Sequence, residues 1–274
     1  MMSTHYIPNS SVEAEILDPV PMNGYVPLFL HASETANSLF QGSVNAGTSN
    51  AGAVFAVGLG GINGAFNRAL TNHAGQTTSL YQNLHQGVYN NAGTGISAFQ
   101  SNFSANDPIR FSLMLKPQKS YNMASYDGIV FIDIFNANQF PYGNNLNYSM
   151  IYVVPPLASN YNNIQDFLHK IEKTNITLVN AVNLYNAKHA TSGNALGLEP
   201  IKDIRMCLFS GGYYRGSATI DQVALHNLRG LEFAFSTGTT DITKVYFENS
   251  YEDQTLPGQN VFNALKGQLA NKPT

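Results

Sequence analysis

The chain has 274 residues, 43% of them hydrophobic and only 11% charged, which suits one large α/β domain whose polarity comes mainly from Asn, Ser, Thr and Gly. With 14 Lys plus Arg against 17 Asp plus Glu and a pI near 6.1, it lacks the basic footprint that a nucleic acid polymer requires. Cys207 is the lone cysteine, which excludes an intrachain disulfide and a cysteine-built zinc site.

No run approaches the roughly 18 apolar residues that span a bilayer, so no membrane association is expected and a reducing, cytoplasmic setting fits. Residues 1–24 hold prolines and acids without periodicity, and Pro19-Val20-Pro21 with Asn23-Gly24 reads as tail and turn, so this stretch is expected to be an N-terminal extension of a domain over 25–274. A first strand is predicted at Tyr25 to His31. Gly58-Leu59-Gly60-Gly61 then leads into Ile62, Ala65, Phe66, Ala69 and Leu70, apolar positions at helical spacing behind a glycine loop.

Residues 84–125 are rich in Gly, Asn and Ser and read as an insertion, apart from the strict alternation of Ile109, Phe111, Leu113 and Leu115, which predicts one half-buried strand. Ile129 to Phe135 and Met150 to Val154 are short continuous apolar runs of the kind that central strands show, the second stopped by Pro155-Pro156. Ile164, Phe167, Leu168 and Ile171 repeat as a helix, with Leu178, Val179 and Val182 as its continuation or a second one. Ile204 to Phe209 is the next strand, ended by Ser210-Gly211-Gly212. A helix follows with the inward stripe Ile220, Val223, Ala224, Leu228, Leu231 and Phe235, and Thr219 with Gln222 forms a capping box at its start. A last strand at Thr243 to Phe247 and a last helix from Pro257 complete the alternation. The expected architecture is therefore α/β, with helices covering both faces of a sheet.

In such a sheet the ligand crevice lies beyond the carboxyl ends of the strands, and two strand-to-helix junctions here are glycine-rich. Glycine lets backbone approach a phosphate, and the free N–H groups of a helix start supply donors, so Gly58 to Asn63 and Ser210 to Gly216 together form a candidate pyrophosphate clamp.

At these residues the sequence resembles the macrodomain family. Ser49-Asn50-Ala51 and then Gly60-Gly61-Ile62-Asn63-Gly64-Ala65 look like the family's Asn-Ala loop and its Gly-Gly-Val-x-Gly-Ala helix start. Met150 to Pro155 and Met206 to Gly216 look like its proline-ended strand and its Ser-x-Gly-x-aromatic-Gly loop. The resemblance implies a three-layer α/β/α mixed sheet and a cleft that binds ADP-ribose or an ADP-ribosylated protein. It implies no cofactor and no metal.

Carried over, it puts the pyrophosphate on the backbone of Gly60, Gly61, Ile62 and Asn63 and of Gly211, Gly212, Tyr213, Tyr214 and Arg215, with Ser210 also in the ligand-binding set. Asn50 would hydrogen-bond the distal ribose beside Tyr214, Ala51 belongs to the same ligand-binding set, and Glu34 would accept from the adenine amino group. An alternative register for the Asn-Ala loop, Val44-Asn45-Ala46, leaves five extra loop residues. The implied activity is hydrolytic removal of ADP-ribose from a modified protein, with a non-catalytic reader as the alternative. Asn63 stands where hydrolysing members often carry Asp, and Ala53 where they carry a second Asn. Asn67-Arg68 replaces the Glu-Glu pair of poly-ADP-ribose glycohydrolases.

The expected catalytic set is therefore Asn50, Asn63 and a carboxylate from elsewhere. Asp133, inside Phe131-Ile132-Asp133-Ile134-Phe135, is preferred to Asp127, because a carboxylate in an apolar strand demands a partner or a raised pKa; a strand-end hydrogen-bonding role is the alternative reading. His73 and His85 read as solvated loop residues and Cys207 as a buried, inert one. The acidic patch Glu248, Glu252 and Asp253 reads as a solvated face, or as a secretion signal if this is an effector that a bacterium delivers into a host cytosol.

Overall fold

The structure, a computed structural model, describes residues 4–17, 44–45, 113–115, 127–128, 130–136, 147–191, 200–248 and 261–271. In chain order its strands are β1 (His5–Tyr6), β2 (Glu13–Ile16), β3 (Val44–Asn45), β4 (Leu113–Leu115), β5 (Val130–Asn136), β6 (Asn147–Val153), β7 (Asp203–Met206) and β8 (Lys244–Phe247). The helix α1 (Ile164–Thr191) follows β6, α2 (Ile220–Thr237) follows β7, and α3 (Val261–Lys266) follows β8.

The strands form two four-stranded sheets, ordered β1-β2-β8-β7 and β3-β6-β5-β4. In the first, β1 is antiparallel to β2, while β2, β8 and β7 run parallel. In the second, β3 is parallel to β6, and β5 is antiparallel to both β6 and β4. The two sheets adjoin where β3 passes β7. The fold is thus α/β on mixed sheets, as the alternation of strand and helix periods predicts.

The helices pack where their apolar stripes dictate. Every residue of the stripe read from the sequence of α2, Ile220, Val223, Ala224, Leu228, Leu231 and Phe235, is buried. Phe167, Leu168, Ile171, Leu178, Val179 and Val182 of α1 join it over Ile204, Met206, Val245 and Phe247. The capping box at Thr219 is present: Thr219 Oγ1 accepts from the Gln222 N–H at 3.2 Å and Gln222 Oε1 from the Thr219 N–H at 3.0 Å. Residues 164–191 form one continuous helix, and its buried threonines find acceptors within it. Thr174 and Thr177 donate back to the Lys170 and Lys173 carbonyls at 2.7 and 2.8 Å.

The amino-terminal stretch corrects the sequence reading. Instead of a loose extension, residues 4–17 supply β1 and β2, and β2 lies between β1 and β8 inside the sheet. Ile7, Val12 and Ala14 are buried there, and Tyr6 bridges Ala270 near the other end of the chain. Strands this short carry too few apolar residues to show a period; their pairing partner lies at the far end of the sequence. The segment read as an insertion contributes β4, an edge strand on β5.

Candidate functional site

Two strand exits, one from each sheet, come together. At the end of β6, Val154 O accepts from the Gly128 N–H at 2.8 Å, so the Asp127-Gly128 turn, with Gly128 at φ 80°, closes over the strand terminus. Asp127 is only 3% exposed. Its Oδ2 accepts from Tyr161 Oη at 3.1 Å, from Asn160 Nδ2 at 3.0 Å and, at 3.4 Å, from the Leu157 N–H. The backbone from Leu157 to Tyr161, including a 3-10 turn at Ala158–Asn160, is thereby wrapped around one carboxylate oxygen.

Burial, and then the charge of Asp127, push the Tyr161 phenol above its ordinary range and act on Tyr214 in the same way. The buried Lys170 ammonium titrates below its ordinary value because burial disfavours its charge; Asp127 opposes that effect and Lys173 adds to it. The β6 exit, the start of α1 and the loop after β7 therefore share one buried carboxylate.

At the end of β7, Leu208 O accepts from the Gly211 N–H at 3.1 Å, which closes a turn whose third residue, Ser210, sits at φ 60°. A non-glycine residue there is strained, and two contacts hold it. Ser210 Oγ donates to Pro156 O at 2.6 Å, which ties this loop to the other. Asn227 of α2, fully buried, accepts from the Phe209 N–H at 3.0 Å and donates to Phe209 O at 3.1 Å.

Past the turn, Gly212 has open space around it, a 3-10 turn spans Tyr213–Arg215, and Gly216 has φ 57°. A Cβ at Gly216 would lie 2.9 Å from Ala158 Cβ, so this glycine allows the two exits to touch. Among the described residues, neither the Ser210 N–H nor the Gly212 N–H is taken by another backbone group. Backbone donors around a left-handed residue make an anion-binding concavity.

Of the residues expected from sequence, the structure brings Ser210, Gly211, Gly212, Tyr213, Tyr214 and Arg215 together as one loop at the strand ends, with Tyr214 and Arg215 partly exposed. Glu34, Asn50, Ala51, Gly60, Gly61, Ile62 and Asn63 lie outside the described residues, as do Tyr25 to His31, His73 and His85. Asn45 of the alternative register pairs with Tyr152, one position short of the carboxyl end of β6, so its backbone reaches the same edge.

Asp133 pairs with Met150 in mid-strand, three pairs away from Val130 and Val153 at the exit. At about 3.3 Å per residue that is roughly 10 Å from the strand ends. Among the described residues, Asp127 is the carboxylate at the exit. Cys207, expected to be buried, is half-buried just beyond β7.

Asn227 was not singled out from sequence. Its signal was available, because it falls in the inward series of Ile220, Val223, Ala224 and Leu228, where a carboxamide must find partners. Among the described residues no group of His, Cys, Asp and Glu is arranged to hold a metal ion, and no helix is long and apolar enough to cross a membrane.

Among solved structures, the chain is similar to a macrodomain of Oceanobacillus iheyensis. The form with MES bound is 12% identical with a TM-score of 0.48, over 97% of this chain and 93% of that one. The form with ADP is 13% identical with a TM-score of 0.47 over the same shares. Among curated proteins, it is 30% identical over 264 residues to "DNA/RNA-binding protein ALBA4" of Plasmodium yoelii yoelii, covering 87% of this chain and 65% of the relative. It is also 30% identical over 240 residues to the protein of the same name in Plasmodium falciparum, covering 81% of this chain and 61% of the relative. The chain thus spans under two thirds of the length of these relatives. The family model of the Mitochondrial association factor 1 C-terminal domain matches residues 111–258, a span that holds β4 through β8 and both strand exits. The chain belongs to the Mitochondrial association factor 1 C-terminal domain family.

Proposed function

We propose that the chain binds ADP-ribose, free or on a modified protein, at the carboxyl ends of β6 and β7, with the loop from Ser210 to Arg215 against the pyrophosphate. The observation that carries this reading is the loop itself: a turn with a left-handed Ser210, backbone N–H groups at Ser210 and Gly212 with no backbone acceptor among the described residues, and open space at Gly212. The likeness of Ser210 to Gly216 and of Gly60 to Ala65 to the macrodomain pattern supplies the ligand class.

Binding without hydrolysis is the better-supported form of this reading. Asp127 gives its Oδ2 to the donors that shape the β6 exit, Asp133 pairs in mid-strand, and Asn63 stands where hydrolysing members often carry Asp. A proton relay needs a carboxylate within reach of the reacting bond. Hydrolysis through Asp133 is the second reading. It requires wild-type protein to release ADP-ribose from a modified protein and Asp133→Asn to slow that release by about 10²-fold or more. A third reading, a polynucleotide partner, draws on the name of the Plasmodium relatives; the chain's net charge of −3 weighs against it.

Calorimetric titration of one preparation with ADP-ribose, AMP and a single-stranded RNA oligonucleotide separates these readings. The expected result is ADP-ribose bound at least about 10-fold tighter than AMP, which lacks the second phosphate and ribose that the loop would grip. Equal affinity for the two would sink the clamp, and RNA bound tighter than ADP-ribose would favour the polynucleotide reading.

A further inference from the structure

We propose that Asn227 is a positioning residue that fixes the orientation of the Phe209–Ser210 peptide, and so decides whether the loop after β7 offers its ligand an N–H or a carbonyl. The ligand part of this inference rests on the binding reading above; the conformational part does not.

The turn from Leu208 to Gly211 has its third residue, Ser210, at φ 60°, the arrangement of a type II turn. The common type I turn differs from it chiefly by a flip of the central peptide and places its third residue at negative φ, which any residue prefers to the left-handed region. Left to local preference, a Leu-Phe-Ser-Gly turn would take the type I form. Something outside the turn must hold the other.

Asn227 supplies that hold. Its Nδ2 donates to Phe209 O at 3.1 Å and to Val223 O at 2.8 Å, while its Oδ1 accepts from the Phe209 N–H at 3.0 Å and from Asn175 Nδ2 at 3.0 Å. These bonds use both N–H groups and both lone pairs of the carboxamide. Only this orientation of the carboxamide works, because the reverse would set donor against donor and acceptor against acceptor at Phe209.

With Phe209 O held against α2, the N–H across the same planar trans peptide, that of Ser210, points away from α2. A flipped peptide would turn the Ser210 N–H toward the helix and put a carbonyl oxygen where an anion must sit. One side chain of α2 thus sets the sign of the charge that the loop presents. Ser210 Oγ on Pro156 O holds the loop from the other side.

The test compares the wild type with Asn227→Leu, which keeps the size and removes every polar contact, and with Asn175→Ala, which removes one partner of Asn227 but leaves its hold on Phe209. Three quantities are read: the amide resonance of Ser210, the ADP-ribose affinity and the thermal midpoint. Asn227→Leu is expected to move the Ser210 amide resonance and to weaken ADP-ribose by about 10-fold or more, the loss of one charge-assisted hydrogen bond. Asn175→Ala is expected to lower the thermal midpoint while leaving that resonance in place and affinity within about 2-fold.

If Asn227→Leu does not fold, Asn227→Ala with and without Ser210→Gly replaces it. Glycine accepts the left-handed conformation freely, so it should restore part of the affinity that Asn227→Ala loses. A folded Asn227 variant with an unmoved Ser210 amide resonance overturns the proposal. If wild-type protein does not bind ADP-ribose, the binding reading fails, while the resonance still decides the peptide orientation.

Discussion

The two strand exits are held by opposite chemistry. The β6 exit closes on Asp127, a buried carboxylate that can only accept, and so it gathers donors: the phenol of Tyr161, the carboxamide of Asn160 and the N–H of Leu157. The β7 exit closes on Asn227, a neutral carboxamide that gives and takes at the same backbone residue, Phe209. An acceptor-only anchor collects side chains and fixes a wall. An anchor that pairs with both groups of one residue fixes a peptide orientation, which an anion-binding loop needs and a wall does not. The two are joined at Ser210 and Pro156 and by the close approach of Gly216 to Ala158.

The strongest way to break this comparison is at Asp127. Asp127→Ala leaves the Tyr161, Asn160 and Leu157 donors without their acceptor and deprives the buried Lys170 of the charge that offsets its burial. The expected cost is roughly 3 kcal/mol or more, read from urea unfolding. In hydrogen exchange, the Leu157 to Tyr161 amides should lose protection well before the Phe209 amide. Simultaneous loss at both exits would mean that the Ser210 contact makes them one cooperative unit.

Gly230→Ala attacks the other anchor from behind. A Cβ at Gly230 would lie 2.4 Å from Glu172 O and 2.8 Å from Asn175 Cβ, so α2 must move off α1, and Asn227 moves with it. Overpacking of this kind costs about 2 kcal/mol after the gain in helix propensity. Here the Phe209 amide should exchange faster while Leu157 keeps its protection. An unchanged unfolding midpoint would show that the helices accommodate the methyl group.

How much of this could be read in the sequence divides along the same line. The helices and the capping box at Thr219 follow from periods of apolar residues, and β5 to β8 from short apolar runs between them, because the fold buries these stripes and runs in one core. The glycine loop after β7 followed from its position at a strand-to-helix junction. The anchors did not. Asp127 and Asn227 act on backbone 18 or more residues away, a pairing that no local pattern encodes. β1 and β2 were hidden for a related reason: their few apolar residues acquire meaning only beside β8. Asp133 stands in the sequence as a carboxylate among apolar neighbours, yet the register sets it in mid-strand, and Asp127 lies at the exit.

The smallest expected effect concerns acid. His226 precedes Asn227 on α2 and is 7% exposed, with its Nδ1 2.7 Å from Glu172 Oε1 across the seam to α1. The ring of His169 lies 6.1 Å away, and Arg229 adds positive charge nearby. Burial, the largest influence, lowers the His226 pKa; Glu172 raises it; Arg229 and His169 lower it further, and the balance is downward. A histidine depressed in the folded state is protonated first in the unfolded chain. Its contribution to stability is therefore complete above the ordinary histidine pKa of about 6.5 and is lost as the pH falls below that value toward the folded-state pKa. Urea midpoints of the wild type should fall between pH 7.5 and pH 5.5, and those of His226→Phe should fall less. Because the seam stands behind Asn227 and not behind Asp127, acid should speed exchange of the Phe209 amide more than that of Leu157. Equal acceleration at the two exits would show that the proton acts on the whole fold and that the α1–α2 seam has no special hold on the β7 exit.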